Sequence, residues 1–468
     1  MTGKRKRKLA MPDTLIIVAS VVLLVAILSW IIPSGTYDYQ EMNINGRIRN
    51  VAIDGTYHTI DKSEVTTTGF LGFFSVLYRG CVEAADVIFM ILCCCGTFGV
   101  VVKTGAFHAG IGTILKKLKG KEILLVPIIM MIFGLGGSVF GMASEFYGFY
   151  PLIVGLGVAL GYDAMFGFAI IAVGEFVGFM GATLNPYSVG IAQTISGVEL
   201  YSGTGYRAIC FVIFMAISII YVMVYGRKIK KNPSASVVFG EKNIHAFDRD
   251  ELNEYSFTLK DGLVLLDVLV VLVVLMLGLI KWGWDFPQLC GLFLLMSMIA
   301  AAICKWSPNK WCSEFIDSAK TAMWGCILTG IAKAITVVMQ DAQIMDTVIY
   351  GLSNVLKNAP HAVSAQVMLV VQTLINFFIP SATGQASATM PIMAQLADII
   401  GVSRQTAVLA FQFGDGLSNI FWPTADIVII CGLGGISLQK WYKWFTPLFL
   451  ILFVTQAILL GIATGIGF

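Results

Sequence analysis

Four carboxylates lie in or beside strongly apolar stretches of this chain: Glu145, Glu175, Asp415 and Asp426. A charged side chain at membrane depth is costly, so its presence there points to function by default. Such acids can bind a cationic substrate, carry a coupling proton or help bind sodium. Hydroxyls and amides accompany them. Ser144 precedes Glu145, Thr183 and Asn185 precede Pro186, Thr383 and Gln385 follow Pro380, and Ser418 and Asn419 precede Pro423. Asn and Ser/Thr oxygens suit a hard cation, and a proline frees a backbone carbonyl one turn back. Ser144, Glu145, Glu175, Thr183, Asn185, Thr383, Gln385, Asp415, Ser418, Asn419 and Asp426 are therefore the candidate substrate- or ion-binding residues. Among bases, only Lys333 reads as deep, which favours a cationic or zwitterionic substrate over a dianion.

Other chemistries find no residue set. The four histidines, His58, His108, His245 and His361, are scattered, and the ten cysteines show no Cys-x-x-Cys spacing. No catalytic residue and no metal site are expected. Cys93-Cys94-Cys95 reads as small buried apolar residues. Gly134-Leu135-Gly136-Gly137 lacks the strand context of a phosphate-binding loop.

The spacing of these residues repeats. Glu145 and Gln385, Pro151 and Pro391, Gly161 and Gly401, Gly174 and Gly414, and Glu175 and Asp415 all stand one constant interval apart, about half the chain. Paired, Gly/Pro-interrupted apolar segments in two halves point to a secondary transporter with its site at the repeat interface. Irregular backbone at membrane depth is tolerated only inside protein or along a wet cavity. Each half is thus read as one re-entrant hairpin, with its tip near Glu145 or Gln385, and one broken helix.

Composition sets the class independently. Of 468 residues, 57% are apolar and 13% charged, with a net charge of +3, and the mean hydropathy is +0.82. Soluble domains carry about 25% charged residues. The basic residues form short runs between apolar spans, which excludes nucleic-acid binding as the main role. The run Thr14–Ile32 is too long for a signal-peptide core and reads as a retained first helix. Lys4–Lys8, Lys116–Lys121 and Arg227–Lys231 mark the cytoplasmic side. The acidic stretch 35–68 is then an extracytoplasmic loop. Trp441, Tyr442 and Trp444 read as interfacial anchors. The expected fold is an all-α polytopic membrane protein with two inverted repeats, each holding a re-entrant helical hairpin and a broken helix. Its parts are a cytoplasmic tail (1–12), a first repeat (13–226), a cytoplasmic linker (227–260) and a second, inverted repeat (261–468).

The chain resembles the YfcC-like carriers of the ion-transporter superfamily over nearly its whole length. The resemblance is carried by Gly141-Met142-Ala143-Ser144-Glu145, Gly174-Glu175, Asn185-Pro186-Tyr187-Ser188, Pro380-Ser381-Ala382-Thr383-Gly384-Gln385 and Gly414-Asp415-Gly416-Leu417-Ser418-Asn419. It implies a scaffold domain and a transport domain that moves like an elevator. Carriers near this branch are labelled either four-carbon dicarboxylate carriers or arginine/ornithine-type antiporters. Relatives behind the dicarboxylate label carry Ser-Asn-Thr at their hairpin tips, whereas this chain has Ala143-Ser144-Glu145 and Thr383-Gly384-Gln385.

The expected function is a non-enzymatic antiporter of the bacterial cytoplasmic membrane, exchanging arginine, ornithine or lysine. The alternatives are a sodium- or proton-coupled dicarboxylate carrier and, from another class, an ion channel. Expected partners are a small-molecule substrate and the lipid bilayer, with no nucleic acid; a homodimer is one assembly open to it. No cofactor is called for beyond a coupling Na+ or H+.

Overall fold

The computed structural model describes residues 13–44, 47–118, 122–241, 245, 257–357 and 363–468. The tail 1–12, residues 242–244 and most of the polar stretch after 245 lie outside the described residues.

Nineteen α-helices follow one another among the described residues. Helices α1 (Thr14–Ile31), α2 (Phe70–Glu83), α3 (Ala85–Lys103), α4 (Ala106–Leu118), α5 (Leu125–Leu135), α6 (Phe149–Ala159), α7 (Ala164–Met180), α8 (Val189–Ile195) and α9 (Thr204–Lys231) come first. Helix α10 (Leu259–Lys281) stands between. Then come α11 (Phe286–Ile303), α12 (Pro308–Lys320), α13 (Met323–Asp341), α14 (Met345–Lys357), α15 (Ser364–Phe378), α16 (Ala382–Ile399), α17 (Arg404–Ser418), α18 (Asp426–Gly434) and α19 (Leu438–Gly465). The second nine follow the first nine in order, and several pairs match in length. Both α1 and α11 have 18 residues, α3 and α13 have 19, and α9 and α19 have 28. Among the described residues, seven helices are long and apolar enough to cross a membrane: α1, α3, α9, α10, α11, α13 and α19. Helices α5, α6, α7 and α15 are apolar but shorter.

The two series pack by exchange. Helix α2 lies on α13 and α12 on α3, while α1 lies on α13 and α11 on α3. Hairpin arms α5 and α6 pack on α7, arms α15 and α16 pack on α17, and α7 crosses α17. The ends are traded as well, with α8 against α16 and α18 against α6. Helices α2 and α12 carry no long apolar run and are legible only through these partners. Arg79 of α2 donates to both carboxylate oxygens of Asp341 at the end of α13, one of them at 2.9 Å.

Two regions differ from expectation. The loop 35–68 is not irregular: Ser34–Thr36 pairs antiparallel with His58–Ile60, and Tyr39–Ile44 with Arg47–Ala52. The fold is therefore all-α in its membrane part, with two small sheets outside it. This β-region docks on α14 and α16. Asp346 fixes it by accepting from Tyr39 Oη at 2.7 Å and from the Tyr37 amide at 3.0 Å. Secondly, Trp441 and Trp444 are not interfacial anchors. They lie inside α19 at 0% and 3% exposure, with Trp441 stacked on Phe445 at 4.6 Å. The Trp441 indole donates to the Ile420 carbonyl at 2.8 Å and the Tyr442 hydroxyl to the Phe421 carbonyl at 2.7 Å. Backbone freed at the α17–α18 break needs donors in an apolar interior, and these side chains supply them. The described start of the linker folds back on the membrane part: Ser236 Oγ donates to Asp163 at 2.6 Å, and Lys440 pairs with Glu241 at 3.1 Å.

Candidate functional site

The first hairpin turns through a π-helical stretch, Gly136–Phe140, that ends in left-handed Gly141 (φ 69°). Only the missing Cβ allows this, since one built on Gly141 would stand 2.4 Å from Asn185 Oδ1. The chain then runs through a 3-10 turn, Ser144–Phe146, into α6. The second hairpin turns at Ile379-Pro380-Ser381, where Ser381 caps α16 by accepting from the Gly384 amide. Both second arms end alike in left-handed glycines, Gly161 (φ 80°) and Gly401 (φ 70°). The repeat of Pro151 and Pro391 is looser. Residues 141–148 are mostly non-helical whereas 382–390 are helix, so Pro151 falls in the first turn of α6 and Pro391 inside α16.

Gly174 and Gly414 play one role in the two halves. A Cβ on Gly174 would sit 3.0 Å from Met130 Cα on α5, and one on Gly414 would sit 2.9 Å from the Thr373 amide on α15. Each glycine lets a broken helix touch the first arm of its own hairpin. One residue on, Glu175 and Asp415 are both fully buried. Tyr150 Oη donates to Glu175 Oε2 at 2.8 Å. Asn376 Nδ2 donates to Asp415 Oδ1 at 3.0 Å. The second oxygen of each carboxylate, Glu175 Oε1 and Asp415 Oδ2, has no hydrogen-bond partner among the described residues.

Around Asp415 the polar groups form one buried network. Asn376 also approaches Gln385 Oε1 at 3.2 Å and Asn419 Oδ1 at 3.1 Å. Gln385 Nε2 donates to Gln372 Oε1 at 2.6 Å, and Gln372 Nε2 to Thr389 Oγ1 at 3.1 Å. Ser418 turns back on its own helix, donating to the Gly414 carbonyl at 2.5 Å. Asp426, at the start of α18, accepts from Tyr147 Oη of the other half at 2.9 Å. In the first half, the break after α7 is latched to its hairpin. The Thr183 amide donates to the Ser138 carbonyl at 2.9 Å, and Asn185 Nδ2 donates to the Gly137 carbonyl at 3.4 Å.

Both hairpin tips open on a single cavity of about 380 Å³. Gly141, Ser144 and Glu145 come from the first tip, Ser381 and Thr383 from the second, and Phe179 and Tyr187 from the first broken helix. The connection between α10 and α11 closes it with Trp284, Asp285 and Phe286. Thr383 Oγ1 donates to the Tyr187 carbonyl at 2.9 Å, joining the second hairpin to the first break. Glu145 is buried and accepts from the Ala143 amide at 3.0 Å. Of the eleven sequence-derived candidates, Ser144, Glu145 and Thr383 line this cavity. Glu175, Asp426, Thr183 and Asn185 hold the first hairpin and first break, while Gln385, Asp415, Ser418 and Asn419 build the buried network behind the second.

Sequence reasoning missed four residues. Tyr147 and Tyr150, one turn apart on the first hairpin, are the donors to Asp426 and Glu175; two tyrosines three apart beside an acid were the available signal. Asp285 was hidden in a short turn between two apolar helices. Arg207 was missed because it opens an apolar run, and its burial corrects the view of Lys333 as the one deep base. Arg207 is 1% exposed and donates to Gln405 Oε1 at 3.2 Å, whereas Lys333 is only half-buried. Neither base lines the cavity.

Seven apolar spans around broken helices, with acids and hydroxyls gathered at their breaks, define a multi-pass membrane carrier. Residues 11–465 match the DcuC family, described as C4-dicarboxylate anaerobic carriers, and the chain belongs to that family. It is 32% identical over 502 residues to an Escherichia coli (strain K12) protein named "Putative basic amino acid antiporter YfcC", covering 100% of this chain and 99% of that one. It is 27% identical over 506 residues to an uncharacterized Haemophilus influenzae protein, covering 99% of each. Among solved structures it is similar to the Alcanivorax borkumensis YdaH transporter (TM-score 0.44, 15% identity, 98% of this chain and 99% of that one). It is likewise similar to Neisseria gonorrhoeae MtrF, from a class of antimetabolite efflux pumps (TM-score 0.44, 16% identity, 97% and 96%).

Proposed function

We propose that this carrier is a secondary antiporter that exchanges basic amino acids across the bacterial cytoplasmic membrane. The observation that carries this reading is the charge of the cavity at the hairpin tips. It is lined by Glu145 and Asp285 and by no Lys, Arg or His among the described residues. A buried carboxylate such as Glu145 is expensive in a low-dielectric site, and a cationic ligand relieves it where a dianion adds to the cost. The cavity volume falls at the small end of the roughly 300–1,000 Å³ usual for small-molecule pockets. Ser381, Thr383 and the amides that open α16 offer donors for one α-carboxylate. An amino acid with a cationic side chain meets both demands. The name of the Escherichia coli relative agrees with this substrate class.

The same reading takes α1–α9 and α11–α19 as inverted repeats, with α10 as the odd crossing that inverts the second. The hairpins and broken helices form the transport domain, and α1–α3 with α11–α13 form the scaffold it moves against. Glu175, Asp415 and Asp426, behind the cavity, serve coupling by Na+ or H+. A dicarboxylate carrier is the second reading, favoured by the description of the family. Proteoliposomes loaded with unlabelled ornithine or arginine should accumulate labelled arginine, and succinate or malate should exchange poorly in the same format. Strong dicarboxylate exchange without an arginine signal would replace the first reading by the second.

A further inference from the structure

Helices α9 and α19, of 28 residues each, run side by side. Tyr221 Oη of α9 donates to the Trp444 carbonyl of α19 at 3.0 Å, and the Tyr225 ring lies 5.6 Å from that of Trp444. The end of α9 therefore adjoins the start of α19. Both helices turn large apolar side chains out of the protein: Ile209, Val212, Ile220 and Val224 on α9, and Leu450, Val454, Ile458 and Ile462 on α19. In a multi-pass membrane protein such rows border lipid chains.

Where the rows stop, at the shared end, the side chains become basic. Arg227, Lys228, Lys230 and Lys231 stand on α9, and Lys440 and Lys443 on α19. Two of these are already engaged. Lys440 pairs with Glu241 at 3.1 Å and donates to the Val237 carbonyl at 2.7 Å, and the Lys230 ammonium lies 4.9 Å from the centre of the Tyr162 ring. Asp163, at the same end, is engaged too, accepting from Tyr225 Oη at 2.5 Å and from Ser236 Oγ at 2.6 Å. Arg227, Lys228, Lys231 and Lys443 are exposed, and they make no ion pair among the described residues.

An open groove of about 700 Å³ joins this charge to the apolar row of α19. Lys440, Tyr442, Lys443, Thr446, Pro447 and Leu450 line it. Lys443, Pro447 and Leu450 follow one another at single-turn spacing on one helix face, and Lys443 to Leu450 spans about 10 Å of helix. A soluble anion meets only the basic end of this groove, and a neutral apolar molecule only the other. An anionic phospholipid meets both, with its phosphate at Lys443 and an acyl chain past Pro447 and Leu450 toward Val454. A zwitterionic headgroup brings its own cation into the field of these bases and loses most of the attraction. Each Lys or Arg close to an anionic lipid surface contributes about 1 kcal/mol.

We infer that the groove on α19 is a binding site for an anionic phospholipid, its phosphate held by Lys443 within the field of Arg227, Lys228 and Lys231 and its acyl chain lying along Pro447 and Leu450. The site is independent of which substrate the carrier exchanges. Helix α9 packs on α7 and α19 on α17, so the lipid rests on the helices that back both broken helices.

Lipid binding to the purified full-length protein in detergent, read by native mass spectrometry, tests this. Phosphatidylglycerol should bind about tenfold or more tighter than phosphatidylcholine with the same acyl chains, and glycerol 3-phosphate or inorganic phosphate should not compete with it at equal concentration. Lys443→Gln should weaken phosphatidylglycerol about fivefold, the equivalent of about 1 kcal/mol, and leave phosphatidylcholine unchanged. Lys443→Arg should bind as wild type. Lys228→Gln and Lys231→Gln together with Lys443→Gln should abolish the preference between the two lipids. Lys281→Gln, at the end of α10, should change nothing. All these side chains are exposed, so each variant should keep the wild-type unfolding midpoint in lipid-free detergent. Equal affinity of wild type for the two lipids would overturn the site. Competition by the soluble phosphates would replace the lipid by a free anion. A Lys443→Gln variant with undiminished preference would overturn the placement on α19.

Discussion

Glu175 and Asp415 show what a carboxylate requires when the chain buries it at bilayer depth. Each has one side-chain donor and one oxygen without a partner, although an ionised carboxylate offers about four acceptor sites. A group left this short of partners fits the proposed coupling role, in which a proton or cation reaches it in another state of the cycle. Replacing either acid by its amide keeps the local hydrogen bond, because Tyr150 and Asn376 can still donate to an amide oxygen. Glu175→Gln and Asp415→Asn should therefore insert and fold as wild type while arginine exchange in proteoliposomes falls below detection. Wild-type rates in both would remove these residues from the mechanism. The acids themselves were readable from sequence, since a charge inside an apolar run is visible without a structure. Their donors were not, because which acid Tyr147 or Tyr150 faces depends on how the first hairpin lies on α7 and α18.

At the scale of elements, glycines decide how closely the broken helices approach. A Cβ on Gly178 of α7 would stand 2.1 Å from the Gly134 carbonyl of α5. One on Gly416 of α17 would stand 2.4 Å from Met180 Cα, where α7 and α17 meet. The obstacle is backbone in both cases, so no rotamer change relieves it. Overpacking of this kind costs about 1–3 kcal/mol. Gly178→Ala and Gly416→Ala should each lower the unfolding midpoint of the purified protein by several degrees. Gly351→Ala on α14, where nothing lies within 4 Å, should leave it unchanged or raise it. Equal midpoints in all three would show that these contacts do not limit stability. The pairing of Gly174 with Gly414 was legible as spacing, and its cause is structural: each marks a helix crossing within its own hairpin unit.

For the whole molecule, the exchanged packing of the two helix series constrains how the chain crosses the bilayer. In the proposed arrangement, helix α10 adds one crossing between the series and so turns the second upside down relative to the first. The same proposal takes the basic residues at the end of α9 to lie in the cytoplasm and the β-region between α1 and α2 to lie outside. In a background without native cysteines, Glu64→Cys should react with an impermeant maleimide added to intact cells. Ser234→Cys should react only after permeabilisation. Reaction of both from one side would end the inverted arrangement, and the elevator mechanism with it.

Sequence alone determined the class, the halves and most of the breaks. Apolar runs long enough to span a bilayer, interrupted by Gly, Pro and buried acids, are written in composition and spacing, because lipid leaves the backbone few alternatives. Only the tertiary structure decided which candidates share a cavity. Ser144, Glu145 and Thr383 line it, while Gln385, Asp415 and Asn419 turn inward and converge on Asn376. It also brought Asp285 to the cavity that Glu145 lines, buried Arg207 and moved Trp441 from an expected interface into the core. The physical reason is the same each time. A side chain's cost in an apolar interior depends on the partner that meets it, and those partners come from helices far away in sequence.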